Sequence, residues 1–174
     1  MPTNFDFSAN KEIVEKEYNL AKGQYFKVKE GMNKVRLVSQ CLPHESLYKG
    51  QKTFKWLCQV IDRVDGKIKP YFMPHSVYCM ITDLQLSDDY RFSEVPMPYD
   101  ISIGAQGAGT KEVKYSVTPA RLNVSITDVE LAAIKEAPTV QEVQAKIREN
   151  EKEEIPPVAP MTPEEEKLAD SVPF

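Results

Sequence analysis

Asp65-Gly66, set between two apolar runs, constrains this chain more than any other pair of residues. An Asp-Gly step readily adopts the left-handed backbone that a tight hairpin demands, so residues 53–63 and 67–73 are expected to pair as antiparallel strands. Upstream, residues 24–28 and 33–40 read as one long strand bent at Glu30-Gly31, because glycine is where a strand kinks or bulges. Residues 43–52, polar and carrying Pro43 and Gly50, read as a loop. Past Pro74 the apolar period changes. Val77, Met80, Ile81 and Leu84 fall at i, i+3, i+4 and i+7, the stripe of a helix of about ten residues. Residues 99–104 and 112–118 supply two more strands across the glycine-rich loop 105–111. The order strand, strand, strand, helix, strand, strand is that of a five-stranded OB-fold barrel with a helix between strands 3 and 4, and it also occurs in other small α+β arrangements; the expected fold class is mainly β, an OB barrel.

Beyond Arg121, Thr127-x-x-Glu130 and Thr139-x-x-Glu142 are capping-box patterns, which predict helices over residues 128–136 and 140–150. Both are apolar on one side (Val129, Leu131, Ile134; Val140, Val143, Ile147), a face suited to packing on the barrel or on a second subunit. The expected organisation is an N-terminal arm 1–23 with a short helix near residues 11–18, an OB domain 24–121, C-terminal helices 122–150 and an acidic tail 151–174. From Glu149 onward eight carboxylates oppose Lys152 and Lys167 among five prolines, with Phe174 the sole aromatic. Such a segment buries too little apolar surface to offset its ordering entropy and is expected to stay disordered until bound. A helix started by Thr162-Pro163-Glu164-Glu165 is too short to persist alone. Solubility alone does not explain Asp170, Val172, Pro173 and Phe174, an apolar tip carrying the terminal carboxylate, which reads as a partner-docking peptide. This acidic run ending in Pro-Phe resembles the tip of bacterial single-stranded DNA-binding proteins, and the resemblance implies recruitment of replication and repair partners.

The formal net charge of −4 is spread unevenly. Residues 136–174 hold ten acidic and four basic groups, whereas residues 24–72 hold ten basic and four acidic groups. A basic module therefore carries an acidic tail. Alternation sets Lys34 and Arg36 on one face of the first strand, Lys55, Arg63 and Gln59 on one face of the second, and Lys69 with Tyr71 on one face of the third. In an OB barrel the outer faces of strands two and three line the oligonucleotide groove. Cations that track phosphates, with aromatic faces for stacking, meet the needs of sequence-independent single-strand binding. A solvated lysine face is the alternative reading. Lys111, Lys114 and Arg121, in or beside the loop 105–111, are further candidates for phosphate contacts. Trp56 and Tyr115 are secondary DNA-binding candidates: Trp56 shares parity with Phe54, Cys58 and Val60, the side expected to be buried, with Leu57, Gln59 and Ile61 on the exposed side. Tyr115 is likewise flanked at spacing two by Val113 and Val117.

Other chemistries find less support. Gly104-x-x-x-x-Gly109-Thr110-Lys111 imitates a phosphate-cradling P-loop, but Thr precedes Lys and a strand rather than a helix follows. Cys41-x-x-His44 and His75-x-x-x-Cys79, with Cys58 between, have ligand-like spacing; a zinc site needs four such groups to converge, and Cys58 and Cys79 lie in apolar patterns. No metal or other cofactor is expected. With two histidines and no nucleophile–base pattern, no enzyme is expected either. The sequence shows no run of about eighteen apolar residues and no basic–apolar leader, so no membrane partner is expected. Three cysteines without a C-x-x-C pair agree with a reducing compartment, and cytoplasm is the expectation.

Three stretches taken together carry a second resemblance: Phe26-Lys27-Val28-Lys29-Glu30-Gly31-Met32-Asn33-Lys34-Val35-Arg36; Trp56 through Arg63-Val64-Asp65-Gly66-Lys67-Ile68-Lys69-Pro70-Tyr71-Phe72-Met73-Pro74-His75; and Pro96-Met97-Pro98-Tyr99-Asp100-Ile101. With Gly107-Ala108-Gly109-Thr110-Lys111-Glu112-Val113-Lys114-Tyr115 they look like bacteriophage single-stranded DNA-binding proteins, over residues 24–121 and the tip. That resemblance implies an OB fold and cooperative coating and protection of single-stranded DNA during phage DNA replication or recombination in a bacterial host cell. It also implies recruitment of partner proteins through the tail, and leaves homo-oligomer formation open. The alternative expectation is an OB-fold protein–protein adaptor of a replication or recombination complex.

Overall fold

The computed structural model describes residues 25–48, 50–120 and 124–153. The N-terminal arm, Arg121 and the tail with Asp170, Val172, Pro173 and Phe174 lie outside the described residues. The elements run β1 (Gly31–Leu37), β2 (Leu42–Tyr48), β3 (Gln51–Asp62), β4 (Ile68–Met73), α1 (His75–Leu86), β5 (Ile101–Gln106), β6 (Lys114–Pro119), α2 (Asp128–Glu136) and α3 (Val140–Glu153). The chain divides into two units, Met1–Gln144 and Ala145–Phe174; the described part of the second is the remainder of α3.

β3 organises the sheet because it is long enough to take three partners. β2 pairs with it from Tyr48↔Gln51 to Leu42↔Leu57, β1 from Leu37↔Val60 to Val35↔Asp62, and β4 from Trp56↔Met73 to Ile61↔Ile68. Between the first two ladders only Cys58 and Gln59 face residues 38–41. The surplus residues form a bulge that bends the strand running from β1 into β2. The sequence reading of residues 43–52 as a loop is corrected: most are strand, in β2 and the start of β3, with Gly50 at φ +75° before the first pair Tyr48↔Gln51. Pro43 is tolerated because β2 is an edge strand. The Asp65-Gly66 hairpin forms as expected, with Gly66 at φ +69° and Asp62 N–H donating to Lys67 O at 3.0 Å.

The sheet order is β2-β3-β1-β5-β6, with β4 on the other side of β3, and every ladder is antiparallel. Among the described residues β4 and β6 share no ladder, so the mainly β sheet of six strands stays open, which corrects the expected closed five-stranded barrel. The link across the structure is made instead by α1, which packs against β3 and β6. Its apolar stripe, Val77 and Ile81, joins Val35, Leu37, Cys58, Val60, Tyr71, Met73, Ile101 and Ile103 in one core.

The other face of β3 is also closed. Leu57, Gln59 and Ile61, expected to be exposed, are buried because the segment carrying α2 folds back over them. Gln59 Nε2 donates to Pro138 O and Gln144 Nε2 donates to Pro43 O, both at 2.8 Å. Both capping boxes are made, with Glu130 and Glu142 accepting from the backbone N–H of Thr127 and Thr139. Beneath this segment lies a buried charge cluster. Arg36, 1% exposed, donates from Nε to Asp100 Oδ1 at 2.6 Å and from a terminal nitrogen to Val124 O; Asp100 is fully buried. Arg63 donates to the same carboxylate at 3.1–3.2 Å and to Glu130.

Removing one member of a buried ion pair strands the other charge, which costs about 3–5 kcal/mol. Asp100→Ala is therefore expected to lose that much in urea unfolding. The joint replacement Arg36→Met with Asp100→Leu, which leaves no buried Arg36–Asp100 charge pair, is expected to recover most of it; a double variant as unstable as the single one would contradict this account.

Candidate nucleic-acid interface

The structure separates the sequence-derived candidates into three groups. Arg36, Arg63, Lys69 and Tyr71 do not line an open basic groove. Arg36 and Arg63 are held by Asp100 and Glu130, and Lys69 Nζ lies 2.8 Å from Asp62 and 2.6 Å from Asp65. Tyr71 is 3% exposed, edge-on to Phe26, because its pairing with Cys58 puts it on the inner face of the sheet. Burial pushes its phenol well above the ordinary range, and its hydroxyl has no hydrogen-bond partner among the described residues. The parity assigned to Lys69 and Tyr71 is thus reversed relative to the outer face. For the arginines the face was right, and the C-terminal segment, expected to pack on the barrel or on a second subunit, covers that same face.

Lys34, Lys55, Lys111 and Lys114 remain at least partly exposed. Registers carry Lys34, Ser102 and Thr118 across one row of β1, β5 and β6, and Met32, Gly104 and Ser116 across the next, so Lys34 and Lys114 share one sheet face. A Cβ at Gly104 would stand 2.4 Å from Ser116 Oγ, so a larger residue there would have to turn that side chain aside. The loop carrying Lys111 is tethered by Glu30, whose carboxylate accepts from Gly107 and Ala108 N–H at 3.3 and 2.8 Å. Tyr115 points to the opposite, inner face and packs on the core.

Trp56 also lies on the inner face, as its parity suggested, yet at the end of the sheet where the core opens. It stacks on Tyr78 of α1 with ring centroids 4.0 Å apart and planes 12° from parallel. Its Nε1–H donates to His75 Nδ1 at 3.1 Å. Phe54, 44% exposed, meets Trp56 edge-on at 5.3 Å. The pairs Glu45↔Phe54 and Leu47↔Lys52 extend this aromatic surface along the β2–β3 arm, where Lys52 is exposed and Leu47 is 68% exposed. Tyr78 continues into a cleft of about 520 Å³ whose walls include Ser39, Cys41, Thr82 and Phe92. Sequence reasoning missed Phe54, His75 and Tyr78 as a group. Phe54-x-Trp56 has strand spacing and His75-x-x-Tyr78 has helix spacing, but only tertiary packing brings the two pairs together.

The arrangement offers flat aromatic area beside the exposed Lys52, the two kinds of contact that single-strand binding uses. Among the described residues no group of three His, Cys, Asp or Glu side chains is placed to hold a metal, and no helix is long and apolar enough to cross a membrane. No family model matches the chain, and neither does any curated protein or solved structure.

The covering segment should respond to acid. Partial burial pushes the Glu130 carboxyl up, but the Thr127 amide and Arg63 outweigh it and hold the group below its usual value of 4.5. A depressed carboxyl contributes stability that is complete above its unfolded value and is lost as pH falls through its folded value. Unfolding titrations below about pH 4.5 should therefore show Glu130→Gln with a flatter acid limb than the parent; an unchanged limb would mean the Arg63–Glu130 contact adds nothing.

Proposed function

We propose that this protein binds single-stranded DNA without sequence preference, in the manner of an OB-fold coating protein. The observation that carries the reading is the half-exposed Phe54–Trp56–His75–Tyr78 cluster on a strand arm that bears Lys52 on the same face and Lys55 on the opposite one. Base stacking on aromatic faces is indifferent to sequence, and exposed lysines neutralise phosphates at little desolvation cost. Strand connectivity supports it too: if β1 and β2 are taken as one bulged strand, the order of pairing is that of an OB sheet left open between its third and fifth strands. The resemblance of residues 24–121 to bacteriophage single-stranded DNA-binding proteins points the same way, as does the acidic tip for partner recruitment.

The adaptor reading is favoured by a different observation. The outer face of β3 from Leu57 to Ile61 is already covered, and Arg36, Arg63 and Lys69, three of the ten basic groups of residues 24–72, are already paired with carboxylates. An apolar, aromatic arm can equally seat a partner protein.

Titration of a labelled oligo-dT against matched duplex at several salt concentrations separates the two. DNA binding predicts preference for the single strand and affinity that falls with salt, with Lys52→Ala lowering the logarithmic slope by about 0.7 if it meets one phosphate. Phe54→Ala is expected to cost about 1–3 kcal/mol in affinity while leaving the melting curve unchanged; Tyr71→Ala should instead unfold the domain. Equal affinity for duplex, or a Phe54→Ala protein that binds normally, would transfer the arm to the adaptor reading. Deleting Phe174 alone should leave DNA affinity unchanged and abolish pull-down of replication proteins from host extract; identical captures with and without it would leave the tip no docking role.

A further inference from the structure

The bulge between β1 and β2 brings two of the three cysteines together. β2 begins with Leu42 opposite Leu57, so Cys41 and Cys58 each stand one residue beyond the last pair of that ladder, and Cys41 packs against the core that holds Cys58. The bulge is pinned at Gln59. Val38 N–H donates to Gln59 O at 3.0 Å, and Ser39 Oγ accepts from Gln59 N–H at 2.8 Å. Cys58 is fully buried in the core, with Sγ 3.7 Å from Tyr71 O. Cys41 packs against that core from the rim and lines the 520 Å³ cleft, so small solutes can reach it.

The two thiols are unlike in reactivity. A hydrogen bond from Cys58 holds the Cys41 thiol below its ordinary value against the opposing effect of burial, whereas burial raises that of Cys58. An accessible sulfur biased toward thiolate, beside a buried one that stays protonated, is the division of labour between an attacking and a resolving cysteine.

We infer that Cys41 and Cys58 are a disulfide-forming pair, a modification site at which a peroxide entering the cleft oxidises the chain across its bulge. The Cys41 thiolate attacks one peroxide oxygen and the O–O bond breaks. Hydroxide leaves and takes up the proton released by the thiol as water, which leaves Cys41 a sulfenic acid. Cys58 sulfur then attacks Cys41 sulfur, the S–O bond breaks, and the departing hydroxide carries off the Cys58 proton as a second water. Two thiols are oxidised and one peroxide is reduced to two waters. Cys79 is exposed, with Sγ 3.5 Å from His75 Nε2, and is the competing thiol.

The full chain, reduced and then treated with hydrogen peroxide, can be digested with trypsin without reductant. Residues 37–49 carry Cys41, residues 56–63 carry Cys58 and residues 68–91 carry Cys79, so each linkage yields a distinct peptide pair. The expected product joins 37–49 to 56–63, two hydrogens lighter than the sum of the peptides, and is cleaved by reductant. In Cys58→Ala protein the sulfenic acid should persist, so that dimedone labelling of 37–49 rises several-fold over the parent. Linkage of Cys41 to Cys79, or over-oxidation of Cys41 with Cys58 still a thiol, would overturn the inference. So would a parent protein oxidised only at Cys79. The peptide map of the parent decides the matter even if Cys58→Ala does not fold.

Discussion

Asp100 sits at the point where strands, covering segment and charge all meet. It immediately precedes β5, its backbone oxygen accepts from Ala120 N–H at 2.8 Å, and its carboxylate takes hydrogen bonds from Arg36 of β1 and from Arg63 just past β3. A lone carboxylate with no exposure would neutralise rather than stay charged. Two guanidinium groups over-compensate it, and Glu130 restores the balance, so four charges close on themselves with no net excess. The arrangement need not add stability over an apolar equivalent. Its value is in register: planar, multidentate arginine contacts specify which part of the chain crosses which.

Once Arg36 and Arg63 are committed inward, the surface available to a ligand changes. The face of β3 that bears Leu57, Gln59 and Ile61 becomes an interior layer under the segment from Val124 to Gln144. The opposite end of the sheet becomes the place where aromatic area meets water. There α1 does not fully cap the core, and Trp56 stacked on Tyr78, with Phe54 edge-on to it, is left half-solvated. A phosphate could recruit the buried arginines only by stripping them from Asp100, at a desolvation and pairing cost of several kcal/mol that one exposed contact does not return. Exposed lysines carry no such cost. In the DNA-binding reading proposed above, electrostatics would favour the exposed Lys52 and Lys55 over Arg36 and Arg63, despite the stronger bidentate chemistry of arginine.

The bulge at residues 38–41 has a comparable role for the fold. It allows one segment to pair with both halves of β3 while changing direction, and it places Ser39 and Cys41 on the rim of the cleft beside Tyr78. The bend that shapes the cleft and the contact between the two thiols are therefore the same structural event.

The sequence by itself determined the local elements. Asp65-Gly66 set a hairpin, Val77 and Ile81 set the buried stripe of α1, and Thr127 with Glu130 and Thr139 with Glu142 set two helix starts, because turns, helical periodicity and caps are interactions among residues a few positions apart. It also fixed the inward parity of Trp56, which alternation alone decides. What only the tertiary structure decided was which faces reach solvent. Alternation could place Arg36 and Arg63 on the outer side of their strands, yet it carries no information about a segment some sixty to a hundred residues later folding over them. β2 was read as loop because Pro43 and its polar neighbours suit an exposed edge as well as a turn, and only pairing with β3 tells those apart. Phe54, Trp56, His75 and Tyr78 became one surface because a strand and a helix, each unremarkable alone, pack at a single open end of the core. Solvent exposure and charge pairing are sums over the whole chain, and no local pattern contains them.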